Sequence, residues 1–155
     1  QIEFRIASGL GLFRQCLANL ADEPNVIHTL SAENSGPLHF MQFWLDVVAE
    51  WEKETGQHPL IALSACKDVQ DAILADPVRA AVVDVIDLTY WFRTDKGAEF
   101  APKGGQSLAP RQHLRLWKGG RPSAASIRAM AAEYRAKYPG KAVISGLGET
   151  ENVQP

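Results

Sequence analysis

The sequence predicts an α/β fold, a parallel sheet whose strands alternate with helices. Three observations carry that expectation. Short apolar runs rich in β-branched residues recur at 26–30, 59–63, 85–91 and 142–144. Segments with apolar residues at helical spacing lie between them. Polar residues gather directly after the strand-like runs, where helix-covered parallel sheets place their chemistry.

Each element has its own signal. Residues 1–11 combine an alternating run (Ile2, Phe4, Ile6) with Gly9-Leu10-Gly11, which fits a short strand or an ordered arm. From Leu12, the positions Phe13, Cys16, Leu17 and Leu20 recur as on a helix ending at Asp22-Glu23-Pro24. Val26-Ile27-His28-Thr29-Leu30 reads as a buried strand, followed by a polar loop through Gly36-Pro37. Phe40, Trp44, Val47, Val48 and Trp51 form the apolar stripe of the next helix, with Gly56 as its terminator. Trp44 and Trp51 belong to the core on that basis.

The strand at 59–63 leads to a helix capped by Asp68, and Asp76-Pro77 starts another. The third strand spans 85–91. An irregular segment at 93–122, with Gly104-Gly105 and Gly119-Gly120, is longer than ordinary loops and marks a functional or mobile stretch. Ser123 caps a helix with Ile127, Met130, Ala131 and Tyr134 on one face, stopped by Pro139-Gly140 before the last strand. One domain over 1–155 is expected.

Composition bounds the function. The chain has 155 residues, 46% hydrophobic and 22% charged, with a formal net charge of −2. These values disfavour a disordered tail or a polybasic nucleic-acid binder. No apolar run approaches the roughly 20 residues of a membrane span, and there is no signal peptide pattern. Cys16 and Cys66 make no disulfide framework. The four histidines are scattered, and no phosphate loop or GxSxG elbow occurs, so neither a metal nor a cofactor is expected.

Candidate residues follow from the strand ends. Glu33 comes just after the first strand, where partial burial of a carboxyl raises its pKa and equips it as a general acid; the plainer alternative is a solvated loop glutamate. Glu149 follows the last strand and is the candidate second carboxylate, with Asp84 and Asp87 competing. Tyr90 and Trp91 end the third strand and either stack on sugar rings or pack in the core. Arg111, His113 and Trp117 lie in a basic stretch that fits recognition of sugar hydroxyls or uronates better than nucleic acid.

The stretch Asn25-Val26-Ile27-His28-Thr29-Leu30-Ser31-Ala32-Glu33-Asn34 resembles the fourth-strand segment of the (β/α)8 glycoside hydrolases of clan A. Lys141-Ala142-Val143-Ile144-Ser145-Gly146-Leu147-Gly148-Glu149 is similar to their seventh strand, more loosely. The segments at 67–74 and 108–113 resemble uncharacterised barrel modules of bacterial polysaccharide-degrading systems. This resemblance implies a retaining glycosidase with Glu33 as acid/base and Glu149 as nucleophile, and a secreted or periplasmic setting. Ala32 stands where the family has asparagine, and Asn34, after the glutamate, is the substitute contact for the sugar. A full barrel needs about 250 residues, so the resemblance covers half of one. A homodimer, or the missing other half, is the expected partner, besides an oligosaccharide or polysaccharide. A non-catalytic carbohydrate-binding or assembly module and a small-molecule-binding flavodoxin-like sheet are the alternatives.

Overall fold

Helices separate the strands as far as Asp87, and the four principal strands lie side by side in the order in which they occur. The structure, a computed structural model, describes residues 2–30, 35–106 and 110–145, with side chains for 9–30, 35–106, 110 and 112–145. Helix α1 (Ile2–Asn19) leads through β1 (Ile27–Leu30), α2 (Leu38–Thr55), β2 (Leu60–Ser64), α3 (Lys67–Ala75) and α4 (Pro77–Val82) to β3 (Val85–Asp87). An excursion then carries an antiparallel hairpin, β4 (Phe92–Arg93) with β5 (Glu99–Phe100), and a short helix α5 (Pro110–Leu116). Helix α6 (Ala124–Lys137) and β6 (Ala142–Ile144) follow.

Strands β1, β2, β3 and β6 form one parallel sheet in that order. Sequential order without a reversal is the arrangement of half a (β/α)8 barrel. A flavodoxin-like sheet interleaves its strands, as in the order 2-1-3-4-5, an interleaving that β1, β2, β3 and β6 do not show.

The register divides the side chains between two faces, because successive residues of a strand point to opposite sides. Leu30, Leu63, Ile86 and Val143 share one row. They are buried in one cluster with Leu45, Val48, Ile73 and Met130 of the helices. Thr29, Ala62, Val85 and Ala142 form the adjacent row on the opposite face, with Ser64, Asp87 and Ile144 one step further along. That face corresponds to the interior of a barrel. On its two outer strands Ile27 is 48% and Ile144 45% exposed.

Helix boundaries follow local chemistry. Gly56 ends α2 at φ 72°, a left-handed conformation that costs glycine little. Asp76 caps α4 by accepting from the backbone N–H groups of Val78 and Arg79. Ser123 and Ser126 form a capping box at the start of α6. At α3 the cap position is Cys66, not Asp68, and Asp68 lies in the first turn.

Several expectations are corrected. Residues 2–11 are helix, continuous with the run from Leu12. Full burial of Leu17 against the core and contact of the Phe13 ring with Trp44, centroids 4.9 Å apart, anchor α1. Burying Leu17 is worth about 1.5–3 kcal/mol, enough to offset the roughly 2 kcal/mol that Gly9 and Gly11 together cost inside the helix. Cys16 and Leu20, placed on the same stripe by spacing, are exposed. The third strand stops at Asp87, so Tyr90 and Trp91 lie beyond it. The stretch 93–122 contains the hairpin and α5 and is not irregular throughout. The stripe of α2 also turns slightly: Met41 and Leu45 are buried with Val47, Val48 and Trp51, while Trp44 sits half-buried among Phe13, Phe40 and Phe43.

Candidate functional site

The carboxyl ends of the two central strands bring hydroxyl and carboxylate groups together on the face away from the helices. Asp87 ends β3 directly beside Ser64, the last residue of β2. The Ser64 hydroxyl donates to Asp87 Oδ2 at 2.8 Å, and the Thr89 hydroxyl donates to Oδ1 at 2.5 Å. Two donors on one carboxylate fix its rotamer. Ser64 is buried and Asp87 half-buried, so the group stands at the rim of the face rather than beneath it.

Behind this rim, Gln70 of α3 ties strand and excursion together. Its Nε2 donates to the carbonyl oxygens of Leu63, at 3.2 Å, and Asp87, at 3.0 Å. Its Oε1 accepts from Trp91 Nε1 at 3.0 Å. Gln70 and Trp91 are both fully buried. Trp91 packs beside Tyr134, with the cations of Lys67 and Arg93 5.2 and 5.8 Å from its ring centroid. Trp91 and the equally buried Tyr90 therefore offer no ring to a sugar, and their assignment as stacking residues is corrected. The indole N–H found a partner twenty-one positions upstream, a pairing that local sequence does not encode.

The other assignments divide by position. Glu33, Asn34 and Glu149 lie outside the described residues. Asp84 stands at the amino end of β3, opposite the site; it accepts from the Ile61 backbone N–H at 2.9 Å and meets His58 Nε2 at 3.0 Å. It is therefore withdrawn as a second carboxylate, since the amino end of such a sheet serves stability. His58 also contacts Glu52 at 2.5 Å, and these two carboxylates, Asp84 foremost, raise its pKa above the ordinary value against the opposing effect of burial.

The family model described as a domain of unknown function, DUF6298, matches residues 10–153. The chain belongs to this family. Comparisons with curated proteins and with solved structures give no match.

In this DUF6298 chain, His113 and Trp117 do come together. With Glu99, Phe100, Ala101, Pro102 and Leu116 they line an open cavity of about 340 Å³ between the hairpin and α5. Trp117 meets Phe92 and Phe100 edge-on, with centroids 5.3 and 5.5 Å away. The side chain of Arg111 lies outside the described set.

Ionisable groups nearby are committed to structure. Burial works to raise the Asp71 pKa, but hydrogen bonds from Lys67 and Tyr134 outweigh it and hold the carboxyl below its usual range. Burial, then Asp71, pushes the Tyr134 phenol up, so it remains a donor. Burial lifts the Cys66 thiol to about 11, which leaves it un-ionised at neutral pH and a poor nucleophile. No group of three or more His, Cys, Asp or Glu among the described residues is placed to hold a metal ion. No described helix is long and apolar enough to cross a membrane. Sequence reasoning missed Thr89 and Gln70; a hydroxyl two residues past a strand-end aspartate is the one local signal that marks the first.

Proposed function

We propose that this domain acts on polysaccharide-derived glycans by a retaining two-carboxylate mechanism at the carboxyl end of its sheet. The observation that supports the reading best is Asp87, held by Ser64 and Thr89 on the face that lines the interior of a barrel. In this reading Glu33, three residues after β1, protonates the glycosidic oxygen, and Glu149, beyond β6, attacks the anomeric carbon. Water then hydrolyses the glycosyl-enzyme, with Glu33 now acting as base. Asp87 lies between them in the strand order and accepts hydrogen bonds from sugar hydroxyls. An acceptor whose orientation is already fixed loses little freedom when a sugar binds.

The exposed Ile27 and Ile144 support a further part of the proposal: another set of parallel βα units packs against the outer strands, supplied by a second copy or by the other half of a barrel. The non-catalytic binding module is the second reading, favoured by the fact that a half barrel presents only part of a cleft.

A panel of aryl glycosides and oligosaccharides tests the proposal. Glu33→Ala and Glu149→Ala should each lower turnover by about 10²–10⁴-fold, and Asp87→Asn should raise KM. Wild-type turnover in both glutamate variants refutes the hydrolase reading. Glycan binding without turnover in the wild type, retained in Glu33→Gln, supports the binding module instead.

A further inference from the structure

The cavity between the hairpin and α5 is built from groups that the strand-end site does not use. Buried Phe100 lies at its base, Leu116, 75% exposed, at its mouth, and Glu99, His113 and Trp117 supply polar atoms. Its volume of about 340 Å³ falls within the range of about 300–1,000 Å³ that holds small ligands. Gln70, bonded to both the Asp87 carbonyl and the Trp91 indole, ties the excursion that carries this cavity to the strand end.

Trp117 contrasts with Trp91. Trp91 is fully buried and its N–H is bonded to Gln70, whereas Trp117 is half-buried and its N–H has no partner among the described residues. The Trp117 ring is nevertheless fixed. Phe92 and Phe100 meet it edge-on, and a Cβ on Gly119 would collide with it, so the backbone there lies against the indole. Glu99 is fixed likewise: it accepts from Arg93 Nε at 3.0 Å, and Arg93 also pairs with Glu133. Groups oriented in advance lose little freedom when a ligand binds. The wall contributed by α5 holds an unmet group, because His113 Nε2 is closed off from solvent and has no partner among the described residues. Buried polar atoms are nearly always paired.

A fixed aromatic platform beside a carboxylate suits a pyranose ring. Its C–H face packs on apolar surface, while its hydroxyls donate to carboxylate oxygens and accept from an indole N–H. A cation suits the cavity less, since Arg93 already balances Glu99 and α5 brings Arg115 and Lys118 to the same stretch of chain. A phosphate would meet the Glu99 carboxylate.

We propose that this cavity is a sugar-binding subsite, with Trp117 as the platform, Glu99 as the acceptor for ring hydroxyls, and His113 turning its ring to bond one of them. The inference deepens the glycan reading above and rests on it for the class of ligand, but none of its residues belongs to the two-carboxylate mechanism.

The test titrates the ¹⁵N-labelled chain with the trisaccharides of glucose, mannose, galactose and xylose at millimolar concentration, and with tetramethylammonium as a cationic probe. The Trp117 indole resonance, assigned by its loss in Trp117→Phe, reports binding. At least one trisaccharide should shift it, and Glu99→Ala and Trp117→Phe should each weaken that binding about tenfold or more. Val78→Ala, an exposed position on α4, should bind as the wild type does. If Trp117→Phe does not fold, Glu99→Ala carries the expectation, because an exposed ion pair adds little to stability. No shift of the Trp117 resonance with any trisaccharide overturns the subsite, as does wild-type affinity in both variants. Tighter binding of tetramethylammonium than of any trisaccharide overturns the ligand class. Shifts confined to Ser64, Asp87 and Thr89 overturn the subsite and leave the strand-end reading standing. Binding at Trp117 that depends on Glu99, in a protein that cleaves no glycoside, upholds the subsite and sinks the hydrolase reading alone.

Discussion

Replacing Gln70 with leucine tests how the candidate site is held. The side chain is fully buried and bonds three groups: the Leu63 carbonyl, the Asp87 carbonyl and the Trp91 indole N–H. Leucine has similar bulk, so packing changes little and the loss is polar. An unsatisfied buried donor costs about 1–3 kcal/mol. Each carbonyl keeps a second lone pair and adds less, while the variant no longer has to bury an amide. The net expectation is a loss of about 2–4 kcal/mol, a large fraction of the roughly 5–15 kcal/mol that stabilises a domain. Urea unfolding at 25 °C, followed by tryptophan fluorescence, measures it. Adding Trp91→Phe removes the orphaned donor, so the double variant should lose less than the sum of the singles, with a coupling of about 0.5–3 kcal/mol. A Gln70→Leu loss under about 0.5 kcal/mol, or strict additivity, refutes the reasoning.

Two further outcomes follow from the same geometry. Ser123→Ala removes the hydroxyl that accepts from the Ser126 N–H at 3.1 Å and should cost about 1 kcal/mol in the same assay, with Ser123→Thr restoring most of it. The raised pKa of His58 makes its contribution greatest when the ring is protonated. That contribution is complete below the ordinary value of 6.5 and fades as pH rises through the higher folded value. Because half of the side chain is exposed, the effect should not exceed about 1 kcal/mol. Stability at pH 6 relative to pH 8 should therefore favour pH 6 in the wild type by more than in His58→Gln; an identical difference in both proteins contradicts the assignment.

What was legible in the sequence was whatever chemistry is local. Gly56, Asp76 and Ser123 announced their helix boundaries because caps and left-handed turns act over four residues. The alternation of short apolar runs with helical spacing pointed to the parallel sheet. Contacts over longer separations were not legible. Trp91 looked like a strand-end platform because nothing near it reveals that Gln70 receives its N–H. Asp84 and Asp87 are three residues apart and chemically alike, yet they stand at opposite ends of β3. Only the register shows which of them faces the site. The N-terminal glycines signalled a break, and tertiary burial of Leu17 overrode it. The hairpin at 92–100 did have a local mark, Asp95-Lys96-Gly97, a turn sequence between Phe92-Arg93 and Glu99-Phe100. The candidate site divides the same way: its place at the strand ends was readable, whereas the partners of its carboxylate were not.

The proposed mechanism requires that a carboxylate of this chain become covalently glycosylated at the carboxyl end of the sheet. Incubation with activated 2-deoxy-2-fluoro glycosides, followed by intact-mass measurement and peptide mapping, tests that requirement directly. The expected result is one sugar adduct per active chain, carried by Glu149 and lost in Glu149→Gln. An adduct on no residue across the sugars that the wild type cleaves, or one carried by a different side chain, contradicts it.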